Sequence, residues 1–267
     1  MGLAFARRFG QAGMHVVLAD VEEPALNEAV DGLRDEGIDA LGVATDVSDA
    51  AAVDALRDAA IDAFGQVHLV CNNAGVATVP SLGEYQIDLP EWEWVMGVNF
   101  WGVVNGHRAF LPHLVEHGEG HIVNTASMAG HFPGHGSYTA SKWAVVGITL
   151  GLYHSLAERG SAVGVSCLCP GWVNTNILQA DRNRPEWAAR RSLEEVEVDP
   201  VIAARTAWVE DQLRSGMPPA EVADLVHDAV VANRFWIFTD ETMLDRLADQ
   251  HASIRENRNP EPFPLPD

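Results

Sequence analysis

The sequence predicts an α/β fold with a doubly wound, mostly parallel sheet and helices on both faces. Short apolar runs alternate with segments of helical periodicity, which is typical of β-α-β units. The apolar runs are nearly continuous, as expected of parallel strands that helices cover on both sides. Crossovers in such units are right-handed, which favours an open sheet with a ligand crevice at the carboxyl ends of its strands.

The elements follow one another along the first 170 residues. The predicted strands are residues 14–19, 40–45, 67–72, 120–126 and 163–169. The predicted helices are residues 25–36, 50–64, 91–117 and 137–159.

The pattern changes after Pro170. Residues 174–217 are polar and rich in arginine, and we predict that they form a substrate lid, because they follow the carboxyl end of a strand. A helix at 219–232 and a strand at 234–239 resume the fold, and a proline-rich tail covers about 255–267. We predict one domain spanning residues 1–267.

The chain opens with an amphipathic helix and no strand before it. A dinucleotide-binding unit normally places a strand and a glycine-rich turn ahead of that helix, and only Gly2 could belong to such a turn. In a sheet without its first strand, backbone N–H and C=O groups of the two neighbouring strands have no hydrogen-bond partners. We therefore expect the functional chain to carry roughly 10–20 further residues before Met1.

Composition and charge narrow the function classes. A formal net charge of −21 over 267 residues argues against nucleic acid or an anionic membrane as a partner. No apolar run reaches membrane-spanning length. Three cysteines make no disulfide framework, which predicts a cytoplasmic protein. The sequence HLVEH at 113–117 matches a zinc-protease motif. It lies at the end of a predicted helix, where histidines interact favourably with the negative end of the helix dipole, so we predict no metal site.

The single lysine of the chain, Lys142, stands four residues after Tyr138, one of three tyrosines. On a helix these side chains share a face. A nearby ammonium lowers the pKa of a phenol, which predicts that Tyr138 acts as an acid or base near neutral pH. An accidental surface pair is the alternative.

Four further segments accompany this pair. They are Asn72-Asn73-Ala74-Gly75, Asn99 within a helix, Ser127 after a strand, and Pro170-Gly171 after another strand. Together with YTASK and PGWVNT they resemble the short-chain dehydrogenase/reductase family, in the family's order, over about residues 1–180 and 219–240. The glycine-rich turn of the family is the departure, since only Gly2 remains.

The resemblance implies a Rossmann-type NAD(P)-dependent oxidoreductase that acts on a small-molecule secondary alcohol or ketone. Trp187 and Trp208 of the predicted lid, with Trp172 beside it, hint at an apolar substrate, although a packed core explains them equally well. Tyr138 would move the proton, Lys142 would lower its pKa and hold the nicotinamide ribose, and Ser127 would hold the substrate oxygen. Asn99 would bind a water in a proton path. The implied cofactor contacts are Gly2, Asp46, Val47, Asn73, Ala74, Gly75, Tyr138, Lys142, Pro170, Gly171, Val173 and Thr175. The long helices at 91–117 and 137–159 would pair subunits into a homodimer or homotetramer.

Asp20, at the end of a strand, predicts NAD over NADP, because a carboxylate there binds both ribose hydroxyls and repels a 2′-phosphate. Two other functions stay open. One is a non-catalytic cofactor-binding or interaction protein, favoured by the missing phosphate turn, and the other is an epimerase or dehydratase that uses the same Tyr138 and Lys142. His131 and His135 flank the predicted site, either as pocket residues or as a solvated loop.

Overall fold

The computed structural model describes residues 1–78, 87–134, 136–189 and 200–260. His135, the central part of the predicted lid and the last seven residues of the tail lie outside the described residues.

Within the described ranges, all of the strand pairs are parallel, and the strands form two sheets. The order in the first sheet is β1-β2 and in the second β3-β4-β5-β6. The strands are β1 (Val16–Asp20), β2 (Ala40–Ala44), β3 (Leu69–Asn72), β4 (His121–Thr125), β5 (Gly164–Cys169) and β6 (Trp236–Phe238). In the described part of the chain, β1 pairs with β2 alone and β3 with β4 alone. The predicted sheet is therefore present in two portions.

The helices lie between the strands, as predicted. They are α1 (Gly2–Gln11), α2 (Glu23–Asp35), α3 (Ala50–Phe64), α4 (Leu89–Met96), α5 (Gly102–His117), α6 (Ser137–Glu158), α7 (Pro200–Arg214), α8 (Pro219–Val231) and α9 (Leu244–Arg255). A π-helical turn, Gly97–Trp101, joins α4 to α5. Among the described helices, none combines the length and apolar character that a bilayer span requires.

Two neighbouring residues of β4 show that helices cover both faces of the second sheet. Val123 packs in a core cluster with Phe5 and Phe9 of α1 and with α8. Ile122, which points to the opposite face, packs with Leu114 of α5 and with α6. Side chains alternate between the two faces of a strand, so one apolar run serves two cores. This burial fixes the carboxyl ends of β3, β4 and β5 side by side.

The structure corrects the predicted elements in three places. The predicted helix at 91–117 is α4, a π turn and α5 in succession. Part of the arginine-rich lid segment is a helix, α7, and the region before the tail contains α9, which was not predicted. α7 is only weakly amphipathic, so the helical period of its apolar residues gives little signal.

Candidate active site

Ser127 lies just beyond the carboxyl end of β4, on the edge where ligands of parallel sheets bind. Its hydroxyl accepts a hydrogen bond from the amide of Ala129 (3.1 Å) and donates a long one to the carbonyl of Pro170 (3.5 Å). It is also close enough to the phenol of Tyr138 to lower the pKa of that phenol. Ser127 therefore caps a short 3-10 turn and also neighbours Tyr138.

Tyr138 lies in the first turn of α6, and Lys142 lies one turn later on the same face. The Lys142 Nζ is 5.6 Å from the centroid of the Tyr138 ring. Burial raises the pKa of the Tyr138 phenol above its ordinary value, and the hydrogen bond with Ser127 opposes that increase. The sequence predicts the opposite direction. In the structure, desolvation of the phenolate is the largest cause of the shift.

The Lys142 ammonium is almost completely buried, with 3% of the residue exposed. It donates a hydrogen bond to the carbonyl of Thr125 (2.9 Å), the last residue of β4. Burial lowers its pKa to about 8, and the thiols of Cys167 and Cys169 oppose that decrease. The ammonium thus keeps its charge at neutral pH but is much easier to deprotonate than an exposed lysine.

The loop that carries Ser127 is held against α6 by close backbone contact. A Cβ atom at Gly130 would lie 2.7 Å from the carbonyl oxygen of Lys142, which is closer than real contacts allow. Glycine at this position therefore lets the loop approach the catalytic helix. This contact sets the distance between Ser127 and the Tyr138–Lys142 pair.

Asn99 is fully buried in the π turn. Its amide nitrogen donates to the carbonyl of Val76 (2.9 Å) and to the hydroxyl of Ser141 (3.0 Å), and its amide oxygen accepts from the amide of Val76 (2.8 Å). The side-chain donors of Asn99 are thus occupied by protein groups. In this structure Asn99 fixes the segment after β3, whereas the sequence assigns its side chain to a water.

The segment after β3 passes directly beside the catalytic residues. A Cβ atom at Gly75 would lie 3.4 Å from Asn99 Oδ1 and 3.6 Å from Lys142 Nζ. Asn73 neighbours the start of α1, since its side-chain nitrogen would lie 3.1 Å from a Cβ atom at Gly2. Ala74, between them, is exposed. Three predicted cofactor-contacting residues therefore line the crevice next to Lys142.

The segment after β5 forms the opposite wall. The carbonyl of Pro170 accepts from the amide of Met128 (2.8 Å), which ties this segment to the Ser127 loop. The amide of Gly171 donates to the hydroxyl of Thr239 (2.9 Å). Val173 is buried and forms a parallel bridge with Met217, and Thr175 is half-buried.

Asp20, Asp46 and Val47 follow the first sheet, apart from these residues. Asp20 is exposed, and its carboxylate accepts from the amide of Glu22 (3.0 Å). Asp46 is also exposed and binds the amide (2.9 Å) and hydroxyl (2.7 Å) of Ser48. Val47 contacts α5 through its carbonyl, which accepts from Asn105 (2.9 Å). The structure thus brings the predicted catalytic residues together, while the predicted adenosine contacts Asp20, Asp46 and Val47 lie at the carboxyl ends of β1 and β2.

A family model described as short chain dehydrogenase matches residues 1–186. The chain belongs to the short-chain dehydrogenase family. The 1-deoxy-11-beta-hydroxypentalenate dehydrogenase of Streptomyces avermitilis is 35% identical over 257 residues, which is 95% of this chain and 86% of that protein. This dehydrogenase is accordingly an oxidoreductase that transfers a hydride between a nicotinamide cofactor and a secondary alcohol or ketone, and the non-catalytic alternative is not favoured.

Solved structures agree on the fold of the dehydrogenase. A short-chain dehydrogenase/reductase from Burkholderia phymatum in complex with NAD is 43% identical, with a TM-score of 0.90 over 99% of this chain and 94% of that one. A variant actinorhodin polyketide ketoreductase with NADPH is 28% identical, with a TM-score of 0.69 over 89% of this chain and 90% of that one. They support a nicotinamide cofactor and the Rossmann-type fold. The expectation about residues before Met1 gains no support from them and stays a prediction.

The residues of the dehydrogenase fit a dinucleotide along the crevice. The Gly75 backbone lies beside the Lys142 ammonium, where an added Cβ would take up space next to that charge. At the other end, the exposed Asp20 carboxylate retains acceptor capacity for ribose hydroxyls beyond its bond to Glu22. Residues on both sheets therefore present suitable partners for the two ends of the cofactor.

Sequence reasoning missed three residues that hold the site together. Thr125 accepts from Lys142, and Ser141 links Asn99 to the backbone carbonyl of Tyr138 (2.7 Å). Glu91 accepts from the hydroxyl of Ser137, directly before Tyr138 (3.2 Å). Ser141 could have been found, since it lies three residues after Tyr138 and thus near it on a helix. Glu91 carries no such signal, because it is 46 residues from its partner.

Proposed function

We propose that Tyr138 is the general acid and base of this oxidoreductase, and that Ser127 and Lys142 complete its catalytic set. The observation that carries the proposal is their convergence at the end of β4. The Ser127 hydroxyl is close enough to the phenol to lower its pKa, and the Lys142 Nζ is 5.6 Å from the centroid of the phenol ring. A hydroxyl, a phenol and a buried cation within one crevice suit proton transfer to and from a substrate oxygen.

Each residue has a distinct task in this proposal. The raised pKa keeps the Tyr138 phenol protonated at neutral pH, so it is ready to donate to a carbonyl oxygen. Ser127 holds that oxygen next to the phenol. The Lys142 ammonium stabilises the phenolate that remains after proton donation. The bound nicotinamide supplies or accepts the hydride. Asn99 keeps the segment at Val76 in place, and a water path from Lys142 past Asn99 to solvent completes the proton route.

For the cofactor we propose NAD in preference to NADP. The Asp20 carboxylate is exposed at the end of β1, where it would accept from two ribose hydroxyls and repel a 2′-phosphate. Asp46 and Val47 would flank the adenine. Gly2, Asn73, Ala74 and Gly75 would line the middle of the cofactor, and Pro170, Gly171, Val173 and Thr175 would meet its carboxamide end.

For the substrate we propose a small apolar alcohol or ketone beneath a lid formed by residues 174–217 of a single-domain chain. Trp172 and Trp208 make an edge-to-face contact with their ring centroids 5.2 Å apart. Trp187 is largely exposed on the same segment. Indole rings supply large apolar surface, which favours an apolar ligand.

A homodimer or homotetramer, located in the cytoplasm, completes the proposal. Trp101 lies at the end of the π turn, and Trp143 and Tyr153 lie on α6; they are 53%, 42% and 44% exposed, respectively. Large aromatic side chains at the surface are typical of an interface between subunits. Light scattering tests this part, and a monomeric mass would contradict it.

The decisive experiment is a turnover assay with the purified protein. NAD⁺ or NADP⁺ is supplied with a panel of secondary alcohols, and NADH or NADPH with the matching ketones, and the absorbance of the reduced nicotinamide is followed. We expect turnover in both directions with a secondary alcohol and its ketone, with the higher kcat/KM for the NAD pair. Comparable kcat/KM with NADPH would contradict the cofactor proposal, and a complete lack of turnover across the panel would contradict the function.

A further inference from the structure

A buried carboxylate on α4 joins three segments that border the catalytic residues. Glu91 Oε1 accepts from the hydroxyls of Thr78 (2.8 Å) and Ser137 (3.2 Å). Its other oxygen, Oε2, lies 3.8 Å from Nη2 of Arg184. The side chains of Glu91 and Arg184 are only 12% and 5% exposed. A buried charge of this kind is retained only where neighbouring groups stabilise it.

Arg184 belongs to the bridging segment, residues 176–189, which follows β5. Its guanidinium lies over the ring of Trp94 at 4.8 Å from the ring centroid. Its Nε donates to Asp181 (2.9 Å) and its Nη1 to the carbonyl of Ala188 (3.2 Å). Nη2 is close to both carboxylates but forms no aligned hydrogen bond with either. The segment is thus attached to α4 by charge and ring contact.

The donors on the other side of Glu91 lead to the catalytic residues. Ser137 begins α6 and precedes Tyr138 directly. Thr78 lies two residues after Val76, whose amide and carbonyl both bind Asn99. Hydrogen bonds to an ionised acceptor are stronger and shorter than neutral ones. A movement of Glu91 would therefore be transmitted to the first turn of α6 and to the segment after β3.

The far side of the bridging segment is attached differently. Arg182 and Asn183 both donate to the carboxylate of Glu22, which follows β1, at 2.9 and 2.7 Å. Arg182 is half exposed, so solvent screens the charge attraction in this contact. The segment therefore spans the crevice from the first sheet to α4, and Glu91 is its buried attachment.

We propose that Glu91 is a positioning residue that couples the bridging segment to Tyr138 through Ser137. The proposal deepens the proposed function and rests on it only for the kinetic part of its test. When Arg184 is in place, its charge holds the Glu91 carboxylate, and the carboxylate holds the first turn of α6. Tyr138 then has its full ability to reach the substrate oxygen only when the segment covers the crevice.

Coupling of this kind is reciprocal, which makes the proposal testable without turnover. If Arg184 affects Ser137 through Glu91, then loss of the Ser137 hydroxyl must loosen the bridging segment. The Arg182–Asn183 bond reports this loosening as a trypsin site, because Arg182 is partly exposed. The next arginine, Arg184, is followed by proline and is a poor trypsin site, so cleavage at Arg182 can be assigned by mass.

The experiment compares the single variants Ser137→Ala, Arg184→Met, Glu91→Ala and Glu91→Gln with two double variants, which combine Ser137→Ala with Arg184→Met or with Glu91→Ala. All are treated briefly with trypsin as folded proteins. We expect Glu91→Ala and Arg184→Met to increase the cleavage rate after Arg182 about tenfold, and Ser137→Ala about threefold. In the Glu91→Ala background, Ser137→Ala should have no further effect. Glu91→Gln retains an acceptor for Ser137 and Thr78 but loses the attraction to Arg184, so its cleavage should increase while its fold is preserved. Glu93→Gln, an exposed carboxylate on the same helix, is the matched control and should cleave at the wild-type rate.

The same variants are assayed with 1-phenylethanol, or with the first panel alcohol that is turned over, with and without deuterium at the carbinol carbon. We expect Glu91→Ala to lower kcat about tenfold with little change in KM, and to increase the deuterium isotope effect on kcat, because misplacement of Tyr138 slows the chemical step. Glu91→Gln keeps an acceptor for Ser137 but loses the attraction to Arg184, so its kcat should lie between those of Glu91→Ala and the wild type. A merely structural role would change the melting temperature and leave the isotope effect unaltered.

Two results would overturn the proposal. One is a wild-type cleavage rate in Ser137→Ala, and the other is multiplication of the separate Ser137→Ala and Arg184→Met effects in the double variant. If the wild-type protein turns over none of the panel alcohols, the proposed function fails, while the cleavage rates still decide whether Glu91 couples the two segments.

Discussion

The two sheets of the molecule end at the same crevice, but the polar side chains that follow their strands differ in burial and in hydrogen bonding. Beyond β3, β4 and β5, Asn99, Ser127 and Lys142 are buried and hydrogen-bonded to protein groups. Beyond β1 and β2, Asp20 and Asp46 are exposed and bind only nearby groups of their own loops. Substitutions at the second sheet should therefore change stability and chemistry together, whereas those at the first sheet should change recognition alone.

The largest effect is expected for Tyr138→Phe. Removal of the phenolic hydroxyl deletes the proton donor, and kcat should fall by about 10²–10⁴-fold. The ring remains, so packing is retained. Steady-state kinetics and a thermal melt check this prediction. Activity above a tenth of the wild type would contradict the role of Tyr138.

A substitution at His121, at the start of β4, tests the effect of burial on stability in the second sheet separately from catalysis. Burial lowers the pKa of its imidazole to about 4, and it hydrogen-bonds with Ser166 (2.7 Å). The unfolded chain binds this proton near pH 6.5, so the stability linked to neutral His121 is present above pH 6.5 and is lost as pH falls towards 4. The loss amounts to about 3 kcal/mol.

In His121→Gln this dependence should be absent, and kcat at neutral pH should be unchanged. Urea unfolding at pH 7 and pH 4.5 measures the effect on both proteins. An equal decrease in unfolding free energy for wild type and variant would contradict the assignment to His121.

Lys142→Met should stabilise the fold while abolishing turnover. The pKa of Lys142 is about 8 in the folded protein and 10.5 as the ordinary value, so the unfolded state binds the proton more tightly. The buried ammonium therefore lowers the unfolding free energy by about 3 kcal/mol. This decrease is complete below pH 8 and disappears as pH rises towards 10.5. The lost hydrogen bond to Thr125 offsets about 1 kcal/mol.

A net increase of about 2 kcal/mol in unfolding free energy is therefore expected at pH 7. The advantage of the variant should shrink when unfolding is measured at pH 9.5. A less stable variant at pH 7 would show that the buried ammonium stabilises the fold.

The smallest effect is expected at the first sheet. Asp20→Asn keeps an acceptor for the amide of Glu22 but removes the charge that opposes a 2′-phosphate. The ratio of kcat/KM for NADP to that for NAD should rise about tenfold, which corresponds to about 1.4 kcal/mol. The unfolding free energy should change by less than about 0.5 kcal/mol, because the side chain is exposed. An unaltered ratio would remove Asp20 from cofactor choice.

The sequence predicted the elements best where periodicity and burial agree. α3 occupies the predicted residues 50–64, and every predicted strand that the structure contains agrees within about two residues at each end. The convergence of Ser127, Tyr138 and Lys142 followed from the placement of strand ends and from one helical turn. The direction of the Tyr138 pKa did not follow, because it depends on desolvation, which no local pattern reports.

Polar contacts between residues far apart in the chain also could not be predicted from the sequence. Asn72 donates to Asn124 (2.8 Å), which in turn donates to Thr149 (3.0 Å), beneath the segment after β3. These partners lie 52 and 25 residues apart, and amides and hydroxyls have no periodic signature. The attachment of Glu91 to Ser137 was hidden for the same reason. Only coordinates show which distant donors an acceptor meets.

The π turn at Gly97–Trp101 makes the catalytic wall sensitive to chain length. A π turn holds one residue more than an α turn, and here that extra residue lies in the stretch that carries Asn99. Removal of a single codon in this stretch would restore a regular helix, rotate Asn99 by roughly 100° relative to α5, and separate its amide from Val76. A deletion of one residue in this turn would therefore displace the wall of the candidate active site.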